Sequence, residues 1–126
     1  MSLCFIAGAV TKTLKVSAFA LIWSHSVEKT DWQEHWRVTP DQLTLVEARI
    51  KGAGAGVDPP ADARLINGWW RWRPVPTPRN EVILGHSGQT GEWRVCANHR
   101  CMTLSAIFGH RLAEGSIVMK PCSQAR

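Results

Sequence analysis

A histidine and two glutamates stand where strand alternation calls for apolar residues. Phe19, Leu21, Trp23, His25 and Val27 alternate onto one face, the pattern of a strand with its face on a core. In the next segment Trp32, Glu34, Trp36 and Val38 share a face, and Glu34 interrupts it. In the third, Leu43 and Leu45 are followed at the same spacing by Glu47 and Arg49. Three neighbouring strands are therefore expected to aim His25, Glu34 and Glu47 at one aromatic-walled spot. The candidate ligand-binding set is His25, Ser24, Ser26, Glu28, Glu34, Glu47 and Arg49, with Trp23 and Trp36 as walls.

Serine hydrolysis needs a nucleophile, a base and an orienting acid in mutual reach. The residue types are present, but Ser24 and Ser26 alternate away from His25. The chain also has no Gly-x-Ser-x-Gly elbow. His25 with Glu34 and Glu47 has the ligand chemistry of a metal site without its close spacing. No catalytic residue, metal or cofactor is assigned on this basis. A hydrolase or metal-dependent enzyme at His25, Glu34 and Glu47 stays as the weaker alternative, behind two other readings of the cluster. One is a buried polar network that fixes strand register, with Arg49 completing the charges. The other is a tryptophan-lined site at a barrel mouth, for a small organic acid or a sugar, with charge favouring the acid.

The elements that must position this cluster are short strands. The segments 4–10, 14–16, 18–28, 32–38, 43–50, 69–74, 81–84, 92–96, 101–104 and 115–119 carry strand patterning, and turn residues separate them. Asn67-Gly68 is a strong hairpin signal. Leu43 to Ile50 has apolar residues on both faces and reads as a central strand. Ser105 to Gly109 reads as a turn or short helix. With no βαβ alternation and no repeat, the expectation is an all-β protein: one antiparallel sandwich or small barrel of about eight short strands over residues 1–126.

Gly52, Gly54 and Gly56 at alternate positions invite a phosphate-loop reading, but Pro59-Pro60 follow where such a loop needs a helix. A close-packed turn or bulge is preferred. Trp69-Trp70-Arg71-Trp72-Arg73 puts Trp70 and Trp72 on one face and the arginines on the other. Such alternation can stack bases or sugars; the plainer reading is a core face, with arginine stems covering the reverse.

With 126 residues there is room for one core. The net charge of +5 comes from scattered basic residues, so no nucleic-acid footprint emerges. No apolar run reaches the length of a membrane helix. Four cysteines, at 4, 96, 101 and 122, read as two disulfides. Cys96 and Cys101 can face each other across a hairpin, leaving Cys4 and Cys122 to join the chain ends. The rival is zinc, which prefers close Cys-x-x-Cys pairs that this chain lacks. Disulfides imply an oxidising compartment, so a periplasmic or exported protein is expected, with its signal removed. Met1-Ser2-Leu3 then reads as a vector-derived start, and lipid modification is an alternative role for Cys4.

Trp23-Ser24-His25-Ser26-Val27-Glu28, then Trp32 and Glu34, then Glu47-Ala48-Arg49 and the Gly52-to-Gly56 stretch resemble the bacterial domain of unknown function 1850 family. Trp69-Trp70 and the Cys96/Cys101 pair are similar too. The resemblance implies a small exported protein, encoded beside the membrane subunits of a TRAP-type carboxylate transporter. It implies an accessory role near the transporter membrane subunit or solute receptor, and no assigned activity.

Overall fold

A computed structural model describes residues 1–25, 30–51, 59–86 and 92–122. Two antiparallel sheets face each other, as the alternating patterns require. The smaller has four strands in the order β2-β1-β11-β8. These are β1 (Ser2–Ala7), β2 (Val10–Lys15), β8 (Val82–His86) and β11 (Gly115–Pro121). The larger has seven, β10-β9-β3-β4-β5-β7-β6. They are β3 (Ala18–His25), β4 (Thr30–Val38), β5 (Leu43–Lys51), β6 (Arg64–Ile66), β7 (Trp69–Trp72), β9 (Arg94–Ala97) and β10 (Arg100–Thr103). The expected all-β sandwich is present, with eleven strands among the described residues against about eight expected.

Turn chemistry sets the two-residue hairpins. Asn67 (φ 51°) and Gly68 (φ 84°) form the turn between β6 and β7, and Asn98 (φ 52°) and His99 (φ 64°) the one between β9 and β10. Positive φ at both central positions matches the right-handed twist of the flanking strands. A short helix, α1 (Leu104–Phe108), follows β10. Thr103 caps it by accepting from the Ala106 N–H at 3.1 Å, and Glu92 Oε1 accepts from the Ser105 N–H at 2.9 Å. Gly109 ends it at φ 81°, a left-handed conformation that glycine takes without a Cβ penalty.

The core lies between the sheets. Leu3, Phe5, Ile117 and Met119 from the smaller sheet meet Phe19, Leu21, Trp36, Val38, Leu43 and Val95 from the larger. Leu104, Phe108 and Leu112 close one end. Burying side chains of this size contributes about 1.5–3 kcal/mol each before entropy is subtracted. Both expected disulfides form. Cys4–Cys122 spans 118 residues, and Cys96–Cys101 joins directly opposed residues with Cα atoms 4.0 Å apart. In the loop-entropy model, the longer closure is worth about 4–5 kcal/mol. Ser2 and Leu3 are built into β1, Leu3 is wholly buried, and the Cys122 N–H donates to the Ser2 carbonyl.

Candidate functional site

Register decides which side chains meet. Across β3 and β4, Phe19 opposes Trp36, Leu21 opposes Glu34 and Trp23 opposes Trp32. Directly opposed residues share a face, so these six look toward the smaller sheet. Trp23 stacks on Trp32 (centroids 5.7 Å apart) and leans on Trp93 (4.6 Å), whose indole N–H donates to the Gly85 carbonyl at 2.7 Å. Phe19 stacks on Trp36 at 6.5 Å. Glu34 stands between Trp32 and Trp36 on this inner face. Burial pushes its carboxyl above the ordinary value of 4.5, while Trp36 and the Arg79 charge pull the other way. The Trp36 indole N–H is buried and makes no hydrogen bond of full geometry among the described residues.

Glu47 and Arg49 do not join Glu34. His35 pairs with Glu47, but Trp36 pairs with Leu45, so Val46 is an extra residue opposite the His35/Trp36 step. Such a β-bulge sets two consecutive residues on one face and reverses the alternation beyond it. Leu43 and Leu45 point inward; Glu47 and Arg49 point outward, and Ala48 and Ile50 are the buried pair, at 5 % and 2 % exposed. The expectation that Glu47 and Arg49 share the Glu34 face is corrected by this one residue. It also explains the apolar residues on both faces of β5.

The outer face has its own polar centre. Glu47 Oε2 accepts from Arg49 Nη2 at 2.7 Å and Nε at 3.0 Å, a two-pronged charge-assisted contact. His35 is directly opposite Glu47 on one side and Ala20 on the other. Its imidazole is held below its ordinary value of 6.5 first by burial, then by Arg49 and Arg71, with Glu47 opposing. His35 Nε2 and Arg71 Nε are both buried and lack a hydrogen-bond partner among the described residues. Arg49 opposes Arg71 across β5 and β7, and Arg71 opposes Arg64 across β7 and β6. Further along the same face, Lys51 Nζ sits 5.6 Å from the centre of the Trp69 ring.

The remaining predicted residues are dispersed. Ser24 is exposed on the outer face and donates to Asp31 Oδ1 at 2.6 Å, so its hydroxyl is committed to that carboxylate. Ser26 and Glu28 lie outside the described residues, as do the side chain of His25 and the glycine stretch 52–58. The structure thus brings together Trp23 and Trp32, sets Glu34 beside Trp36, and pairs Glu47 with Arg49 on the opposite side of the sheet. No group of three His, Cys, Asp or Glu side chains among the described residues could hold a metal ion. No described helix is long and apolar enough to cross a membrane.

The family model for the domain of unknown function DUF1850 matches residues 19–104, more than half of the chain. The chain belongs to the DUF1850 family. No curated protein and no solved structure matches it. The matched DUF1850 segment contains every strand of the larger sheet and stops short of β1, β2 and β11. It also contains β8 of the smaller sheet, and it includes the residues that carry the outer-face group, His35, Glu47 and Arg49.

Sequence reasoning missed His35, Arg64 and Arg71 as members of one group in this DUF1850 chain. The signal for the arginines was present. A two-residue turn at Asn67-Gly68 fixes Ile66 opposite Trp69, and counting back sets Arg64 opposite Arg71. His35 gave no such signal, because a polar residue on an outward position is what alternation leads one to expect.

Proposed function

We propose that this DUF1850 protein is a non-enzymatic, exported accessory domain of a TRAP-type solute transporter, and that it works through the outer face of its larger sheet. The observation that carries this reading is the division of that sheet. One face is committed to the core. The other is covered by no second sheet among the described residues and carries His35, Glu47, Arg49 and Arg71 on adjacent strands. Two disulfides support export to an oxidising compartment such as the periplasm. The family resemblance supplies the transporter, through its membrane subunit or its solute receptor.

Site-specific photocrosslinking in cells that co-express the neighbouring transporter genes tests this. Probes at outer-face Arg37 and Thr44 should crosslink to a transporter subunit, and a probe at exposed Thr11 on β2 should not. Equal crosslinking from both sides, or none from the outer face, would overturn it. A second reading, a small-ligand module for an organic acid or sugar, is favoured by one feature: an open depression of about 450 Å³ on the same outer face, lined by arginines.

A further inference from the structure

Three arginines stand in direct cross-strand register on the outer face: Arg49 on β5, Arg71 on β7 and Arg64 on the edge strand β6. Like charges directly opposite one another destabilise a sheet, so this row costs the fold free energy wherever its charges are unmatched. Arg49 is matched by Glu47. No hydrogen bond or salt bridge joins Arg64, Arg71 or Arg73 to another described residue. Arg71 is the most telling of them, because its Nε is buried with its hydrogen unused. A buried donor without an acceptor costs about 1–3 kcal/mol. The three face the 450 Å³ depression, together with Glu47 and Asp62.

We propose that this depression is a binding site for a small organic carboxylate. The fork of Arg71, aided by Arg64 across the strand pair, takes the carboxylate oxygens; a guanidinium presents paired donors at the spacing of a carboxylate's two acceptors. Ile66, also in the wall and on the same face as Arg64, takes the carbon part of the ligand; the Trp72 side chain shares the inner face with Ala48 and takes no part. Glu47 and Asp62 set its charge limit. They repel a dianion such as phosphate and can accept from a hydroxyl or amino group on a monocarboxylate. The anion also relieves the like-charge row, which a purely structural role for Arg64 and Arg71 leaves unexplained. This deepens the small-ligand reading of the outer face and does not depend on any transporter contact.

Titration calorimetry on the oxidised full chain tests it without a partner. The probes are pyruvate, lactate and succinate, with methyl pyruvate and inorganic phosphate as controls. Saturable binding of at least one monocarboxylate is expected, with no binding of the ester and weaker binding of phosphate. Arg71→Gln and Arg64→Gln should each weaken binding at least tenfold, whereas Arg111→Gln on the loop after α1 should not change it. Arg64→Gln should also leave the melting temperature unchanged or higher, an effect opposite to that of losing a structural contact. No carboxylate binding by the native chain, binding untouched by both arginine substitutions, or phosphate bound more tightly than every carboxylate would each overturn the proposal. Loss of transporter crosslinking with carboxylate binding intact would overturn the accessory role and leave this site standing.

Discussion

The two faces of the seven-stranded sheet are made by the same backbone, yet they solve different problems. The inner face stacks Phe19 on Trp36 and Trp23 on Trp32, and admits one carboxyl, Glu34. The outer face collects His35, Glu47, Arg49, Arg71 and Arg64 in lateral rows across four strands. On the inner face an ionisable group is an intrusion whose charged form burial disfavours. On the outer face charges outnumber their partners, and unmatched donors remain. Excess unpaired charge on an open face is more characteristic of a surface that meets something than of one that holds a fold together.

The comparison can be broken most severely at the bulge. Deleting Val46 would restore strict alternation along β5, turning Glu47 and Arg49 inward and Ala48 and Ile50 outward. We expect loss of the cooperative unfolding transition in circular dichroism. A variant that melts like the parent would show that the bulge does not assign the faces. The next largest effect contrasts neighbours on β3. Leu21→Ala, at a fully buried position on the inner face, should cost about 2–5 kcal/mol in urea unfolding. Ile22→Ala, on the outer face, should cost well under half as much. Equal costs would mean the outer face is packed like a core.

Two titrations sharpen the contrast further. Glu34 has its folded value raised above 4.5, so the folded state holds its proton more tightly. Its contribution to stability is present in acid and is lost as pH rises through the raised folded value. Glu34→Gln should therefore raise the melting temperature at neutral pH by a few degrees. A fall at pH 7 would show that the carboxylate has a partner that stabilises it. His35 behaves in the opposite sense. Its folded value lies below 6.5, so the unfolded chain binds the proton first as pH falls. Stability present above pH 6.5 is lost as pH drops toward the folded value, and His35→Gln should flatten that loss. The ring is only partly buried, which makes this the smallest of the four effects, measured as the difference in melting temperature between pH 7.5 and 5.5. An unchanged pH dependence in the variant would remove His35 from the outer-face cluster.

Much of this was legible in the chain. Alternation correctly set Phe19, Leu21 and Trp23 with Trp32, Glu34 and Trp36 on one face, because strand period and burial act together there. The cysteine positions gave both disulfides, since Cys96 and Cys101 flank a hairpin turn and only one other pair is left. Glu47 and Arg49 were misplaced because a bulge is one residue out of step. Val46 and Glu47 look like ordinary members of an alternating strand until the partner strand is counted against them. The arginine row was half visible: the turn fixed Arg64 against Arg71, but the pairing of β7 with β5 joins residues on either side of the glycine stretch, and no local signal sets that register.

The most direct test of the division between faces is a nitrogen-15 NMR titration of the oxidised chain with pyruvate, following the Arg Nε–H and Trp Nε1–H resonances. The account predicts a saturable shift of the Arg71 Nε–H, with the Trp23 and Trp36 indoles unmoved. Shifts centred on Trp23 and Trp36, or no saturable shift at Arg71, would contradict it.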